Sequence, residues 1–110
     1  MPIIIGYIIV PLVLITMGII QRKYPPQDIN SVVGFRTRKS SKTQRNWDIA
    51  QQLCGKYLII SGVISAVFFT ILVFANQIQK LSDITLEYLF ALPAFLVIFT
   101  IVIVNKKLPD

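Results

Sequence analysis

Tyr57-Leu-Ile-Ile-Ser-Gly-Val-Ile-Ser-Ala-Val-Phe-Phe-Thr-Ile-Leu-Val-Phe-Ala75 carries no charged side chain, and its reading decides the fold. It comes close to the roughly 20 residues needed to cross ~30 Å of hydrocarbon. Ile3 to Ile20 and Tyr88 to Val104 are uncharged as well, and the last run closes on Lys106 and Lys107. Lipid offers no partner to a backbone N–H or C=O, so each run must be a helix, and three strands could not close a barrel. Composition agrees: 55% of the 110 residues are hydrophobic and the mean hydropathy is +0.69, whereas ordinary soluble domains average about 45–50% apolar residues. The expected fold is an all-α membrane protein forming a single domain over residues 1–110, with spans at about 3–21, 56–76 and 87–105.

The first run could instead be a cleaved leader, but such a segment needs cations before its apolar core and a small-residue cleavage site after it. Met1-Pro2-Ile3 has no side-chain charge, and Arg22 and Lys23 follow the run. A retained span is expected. Between the first two runs lie Arg22, Lys23, Arg36, Arg38, Lys39, Lys42, Arg45 and Lys56, while the second connection, Asn76 to Glu87, has only Lys80 beside Asp83 and Glu87. The positive-inside bias places the basic first loop in the cytoplasm, the N-terminus outside and the C-terminus inside.

Residues 22–55 then hold the specific signal. Pro25 and Pro26 end the first helix by restricting the residues before them, and Tyr24 is expected in the interfacial aromatic belt. Asn30-Ser-Val-Val-Gly34-Phe35-Arg36-Thr37-Arg38-Lys39 lacks helical periodicity. Gly34 is the natural place for a φ that other residues avoid, so a compact loop is expected. Val32, Val33 and Phe35 are expected to fold back on the bundle or dip into the interface. Arg36 and Arg38 would then stand near phosphate depth, where a guanidinium fork matches phosphate or carboxylate geometry. Asp28 or Asp48 is expected to pair with Arg36, Arg38 or Arg45 and hold the loop in shape.

Ser41-Lys-Thr-Gln44 has capping-box spacing, and Trp47, Ala50 and Cys54 recur at helical spacing with Lys42, Arg45, Asp48, Gln51 and Gln52 on other faces. An amphipathic interfacial helix is expected there, anchored by Trp47 and bending near Gly55 into the second span. Within that span, Ser61 and Ser65, and Gly62 and Ala66, form a small-residue face for close helix packing, within this chain or against another. Pro11 and Pro93 are expected to bend the first and third spans.

Chemistry is constrained by what the chain lacks. It has no histidine and a single cysteine, Cys54. The commonest general base and metal ligand are therefore missing, with the Ser-His and Cys-His nucleophile pairs. The only acids are Asp28, Asp48, Asp83, Glu87 and Asp110, and no two form a convincing pair. The three apolar runs, Ile3 to Ile20, Tyr57 to Ala75 and Tyr88 to Val104, hold no Asp, Glu, Lys or Arg, which argues against a pump or proton-coupled carrier. No catalytic residue, metal site or cofactor is expected. The loop's positive charge is explained by topology and attraction to anionic headgroups, not by nucleic acid.

With Asn30-x-x-x-Gly34-Phe35-Arg36-Thr37, a Ser/Thr-rich cap, Trp47-x-x-Ala50 and Gly55-Lys56 between two spans, the chain resembles the SdpI family of small bacterial membrane proteins. The likeness covers roughly Tyr24 to Gly62. The family's best-known member is an immunity protein that protects a toxin-producing cell from its own membrane-active peptide and also holds a transcriptional repressor at the membrane. Two departures stand out. An asparagine commonly follows the alanine of the Trp-x-x-Ala segment, where this chain has Gln51, and the founding immunity protein is longer with more spans.

The resemblance implies a non-catalytic protein of the bacterial cytoplasmic membrane, acting in immunity or sensing through residues 30–47. Asn30, Gly34, Phe35, Arg36, Thr37 and Trp47 would form the recognition motif, with Arg38, Asp48 and Gln51 in support. Besides membrane lipids, the candidate partners are a peptide toxin, a cytoplasmic regulator, a larger membrane protein or a second copy of the chain. The other expectation is an accessory subunit of a larger membrane transporter or membrane enzyme complex, docking through the small-residue face of the second span and the bare surfaces of the other two.

Overall fold

The computed structural model describes residues 2–29, 34–78, 87–89 and 91–109. Within them the regular secondary structure is helical: α1 spans Pro2–Lys23, α2 Gln44–Ile78 and α3 Leu92–Lys107. Three segments are long and apolar enough to cross a membrane, Ile5–Lys23, Gln44–Asn76 and Glu87–Lys107. Asn30, Val32 and Val33 of the expected loop, and Lys80 and Asp83 of the second connection, lie outside the described residues.

α1 ends as its prolines require. The Tyr24 N–H closes the last turn on Ile20 O at 2.8 Å, and Pro25 and Pro26 then prevent continuation. α2 starts elsewhere than the Ser-x-x-Gln spacing predicts. Its cap is Thr43, whose Oγ1 accepts the Asn46 N–H at 3.0 Å. Ser41 is already engaged, its N–H bonding Thr37 O at 3.0 Å within a tight turn. Gln44 turns away from Ser41, and its Nε2 donates to Gln27 O at 2.6 Å and to Asp48 Oδ1 at 2.8 Å.

From Gln44 the helix runs unbroken to Ile78, with no interruption at Gly55. Its 35 residues make about 52 Å at ~1.5 Å per residue, well beyond the ~30 Å of hydrocarbon. The polar first turns are therefore excess over a single crossing. Pro93 differs from expectation too. It stands in the first turn of α3 and not at a bend within it, where proline's missing N–H sacrifices no helical bond.

α2 is the central element, with α1 and α3 packed on it and meeting one another little. The α1–α2 seam is built on close backbone approach. A Cβ on Gly18 would lie 2.7 Å from Gly55 O and 2.8 Å from Ile59 N, and one on Gly62 would lie 3.0 Å from Pro11 O. Gly55 is thus a contact point for α1, and the small-residue face of α2 is used inside the bundle. On its other side, Ser61 Oγ and Thr100 Oγ1 are 3.3 Å apart. Thr100 Oγ1 donates to Leu96 O at 2.9 Å, leaving Ser61 to donate to Thr100. One apolar cluster, Tyr7, Phe69 and Leu72, holds the far end, with Tyr7 and Phe69 stacked at 4.3 Å. A second, Phe35, Ala50, Val104 and Leu108, lies beneath the first loop.

Candidate functional site

The loop after α1 is held by the first turns of α2, through a sequence of hydrogen bonds centred on Gln51. This side chain is fully buried. Its Oε1 accepts the Phe35 N–H at 2.8 Å, and its Nε2 donates to Phe35 O at 2.9 Å. The amide therefore pairs with the Phe35 backbone as a neighbouring strand would. Gln21, at the end of α1, donates from Nε2 to the same Oε1 at 2.5 Å. One side chain on α2 thus ties α1 to the loop. Buried polar groups cost free energy unless paired, and pairing here satisfies both partners.

Gly34 makes this approach possible. Its φ is +94°, in the region where L side chains are strained. A Cβ there would lie 2.6 Å from Gln51 Oε1 and 2.8 Å from Pro26 Cγ. Glycine is needed for both conformation and space. Beside it, Trp47 is fully buried, and its Nε1 donates to Pro26 O at 2.7 Å. The expected lipid-facing anchor is instead the core of the loop unit, because the indole N–H finds its partner in a carbonyl that the proline pair holds over α2. Phe35 is likewise buried, against Ala50, Val104 and Leu108, and does not dip outward.

Further along, Thr37 and Ser40 close a polar turn. Ser40 Oγ accepts the Thr37 N–H at 2.8 Å, and Thr37 Oγ1 accepts the Ser40 N–H at 3.1 Å. Thr37 Oγ1 also donates to Asn105 Oδ1 of α3 at 2.7 Å. Asn46 Nδ2 donates to Lys39 O at 2.9 Å and to Pro109 O at 2.8 Å. α2 and α3 therefore grip the loop directly, and α1 is tied to it through Gln51. Against this frame Arg36 and Arg38 are exposed. Asp48 is exposed as well, and the hydrogen bond it accepts from Gln44 ties it to the helix start.

A groove of about 420 Å³ opens beside the loop. Gln21 and Met17 of α1, Cys54 and Leu58 of α2, and Val97 and Ile101 of α3 line it, and residues 34–37 close one end. Among the described residues no group of His, Cys, Asp or Glu could hold a metal ion.

The structure thus brings Gly34, Phe35, Thr37, Trp47 and Gln51 into one unit, and sets Arg36 and Arg38 on its outside. Sequence reasoning missed Gln21, Ser40, Thr43, Asn46 and Asn105. The available signal was a set of amides and hydroxyls at the polar end of each apolar run. The SdpI/YfhL protein family matches residues 27–105. The chain is also 42% identical over 53 residues to Uncharacterized protein YfhL of Bacillus subtilis (strain 168), a match covering 48% of each. It spans about half the length of that curated relative. No solved structure matches. A loop motif, tryptophan and span in one order, matched over most of the chain, place this multi-pass membrane protein in the SdpI/YfhL family.

Proposed function

We propose that the chain is a non-catalytic recognition protein of the bacterial cytoplasmic membrane, giving immunity against a membrane-active peptide. The single observation that carries this reading is the division of labour in residues 34–51. The motif's uncharged polar groups bond inward to fix the loop, and two arginines stand outside it. Such a frame suits binding, since a preorganised loop has less freedom to lose when it engages a ligand. Bond-breaking would require a nucleophile beside a base, or a metal.

The positive-inside bias sets the basic loop on the cytoplasmic face, with the N-terminus outside and the C-terminus inside. The first turns of α2, Gln44 to Gly55, then occupy the interface and the space just beyond it. Arg36 supplies the recognising charge, Gly34 the turn, and Gln51 the brace. An accessory-subunit role would have to use the bare outer faces of α1 and α3, because the small-residue face of α2 already packs within the chain.

The test is survival. Cells expressing the protein are challenged with the membrane-active peptide that the family's immunity protein resists. Arg36→Ala is expected to abolish protection while membrane abundance stays at the wild-type level. Equal loss of protein and protection would reduce Arg36 to a structural part.

A further inference from the structure

The groove between α1 and α3 has a division of chemistry that a lipid-facing crevice need not have. Its walls, Met17, Cys54, Leu58, Val97 and Ile101, are uncharged and mostly apolar, and Gln21, Arg36 and Thr37 are its polar lining, the last two at its loop end. Among the described residues neither Asp nor Glu lines it. Its volume of about 420 Å³ falls within the roughly 300–1,000 Å³ of small-molecule sites. We infer that the groove holds one acyl chain of an anionic phospholipid, with its phosphate at Arg36 and the Thr37 end of the loop.

Three observations favour this occupant. The groove lies between two membrane-spanning helices that meet one another little, so a lipid can enter sideways without leaving the bilayer. The apolar walls away from the loop end suit a chain, and the groove's polar groups, Gln21, Arg36 and Thr37, include no carboxylate to repel a phosphate. At the loop end, a guanidinium matches a phosphate through parallel N–H···O bonds. The occupant would rest beside Gly34 and Gln21, the two neighbours of the Gln51 clamp, so its arrival or loss would be felt where the loop is held. This rests on the reading of residues 34–37 as a recognition loop.

Cys54 lines the groove and is the chain's one cysteine, a built-in probe. The purified full chain is placed in vesicles of phosphatidylcholine alone or with added phosphatidylglycerol, and N-ethylmaleimide labelling of Cys54 is timed. Native mass spectrometry of the same protein counts retained lipid. Expected are slower labelling with phosphatidylglycerol and one retained phosphatidylglycerol per chain. Its preference over phosphatidylcholine should be about tenfold or more, the selectivity of one charge-assisted contact.

Arg36→Ala should bring that preference near unity, Lys42→Ala should leave it intact as a control for overall charge, and Val97→Trp should displace the lipid by filling the groove. Equal retention of both lipids, no retained lipid, or an unchanged preference in Arg36→Ala would overturn the inference. So would shielding of Cys54 by a membrane-active peptide but not by phosphatidylglycerol. Arg36→Ala that loses protection in cells but keeps the lipid preference sinks this inference alone. Loss of the preference with protection intact leaves this inference standing and removes Arg36 from its proposed role in recognising the peptide.

Discussion

Gln51 is the residue on which the loop depends. Its amide satisfies both backbone groups of Phe35 and receives Gln21, so an apolar substitute would leave buried groups unpaired. Gln51→Leu is expected to cost about 1–3 kcal/mol, read as a lower unfolding temperature in mild detergent. Gln52→Leu, one position along on the exposed face, should change stability by less than about 0.5 kcal/mol. Gln51→Asn is one carbon shorter, cannot span Phe35 and Gln21 together without moving the loop, and should fall between the two. Gly34→Ala forces a side chain into a left-handed φ and against Gln51 Oε1; the backbone term alone is about 1–2 kcal/mol. How much of this was legible varies by residue. The positive φ at Gly34 followed from glycine's place in an aperiodic loop. Gln51 was expected on the polar face of an amphipathic helix and in a supporting role, yet it is fully buried, and its partner Gln21 lies 30 residues away, beyond any local pattern. Trp47 was misread because tryptophan's preference for the membrane interface is an average over exposed sites, and a carbonyl within reach of the indole overrides it.

At the scale of elements, the helices were legible because uncharged runs in lipid have one solution, and their boundaries were less so. Thr43 outcompetes Ser41 as the α2 cap because Ser41 is drawn into the Thr37 turn, a tertiary choice that spacing cannot show. Pro93 looked like a bend only while the third span was taken as one uninterrupted run. The α1–α2 seam yields a sharp expectation. Gly18→Leu would drive a side chain into the α2 backbone at Gly55 and Ile59, separating the helices and breaking the Gln21–Gln51 link, whereas substitution of exposed Met17 by Leu should be tolerated. Trypsin sensitivity of the first loop reads the difference. In the opposite direction, Ser65 Oγ is buried with no hydrogen-bond partner, so Ser65→Ala should hold or raise the unfolding temperature, by up to about 1 kcal/mol in stability. A marked loss would mean that the hydroxyl has a partner in the membrane.

For the whole molecule, three candidate spans leave ten of the eleven cations outside the second connection, and on the proposed reading the working face is at the membrane boundary where they gather. In a Cys54→Ser background, Lys42→Cys should be labelled by an impermeant maleimide in inverted vesicles and not in intact cells; the reverse pattern would invert the topology. The central claim is recognition without chemistry at the framed loop, and a binding titration tests it most directly. Purified protein in lipid nanodiscs is titrated with the peptide that the family's immunity protein resists, and the peptide is then recovered and weighed by mass spectrometry. Saturable binding, an unchanged peptide mass and an affinity about tenfold or more weaker in Arg36→Ala, the loss of one charge-assisted contact, are the predicted results. A cleaved or modified peptide, or binding indifferent to Arg36, would contradict the account.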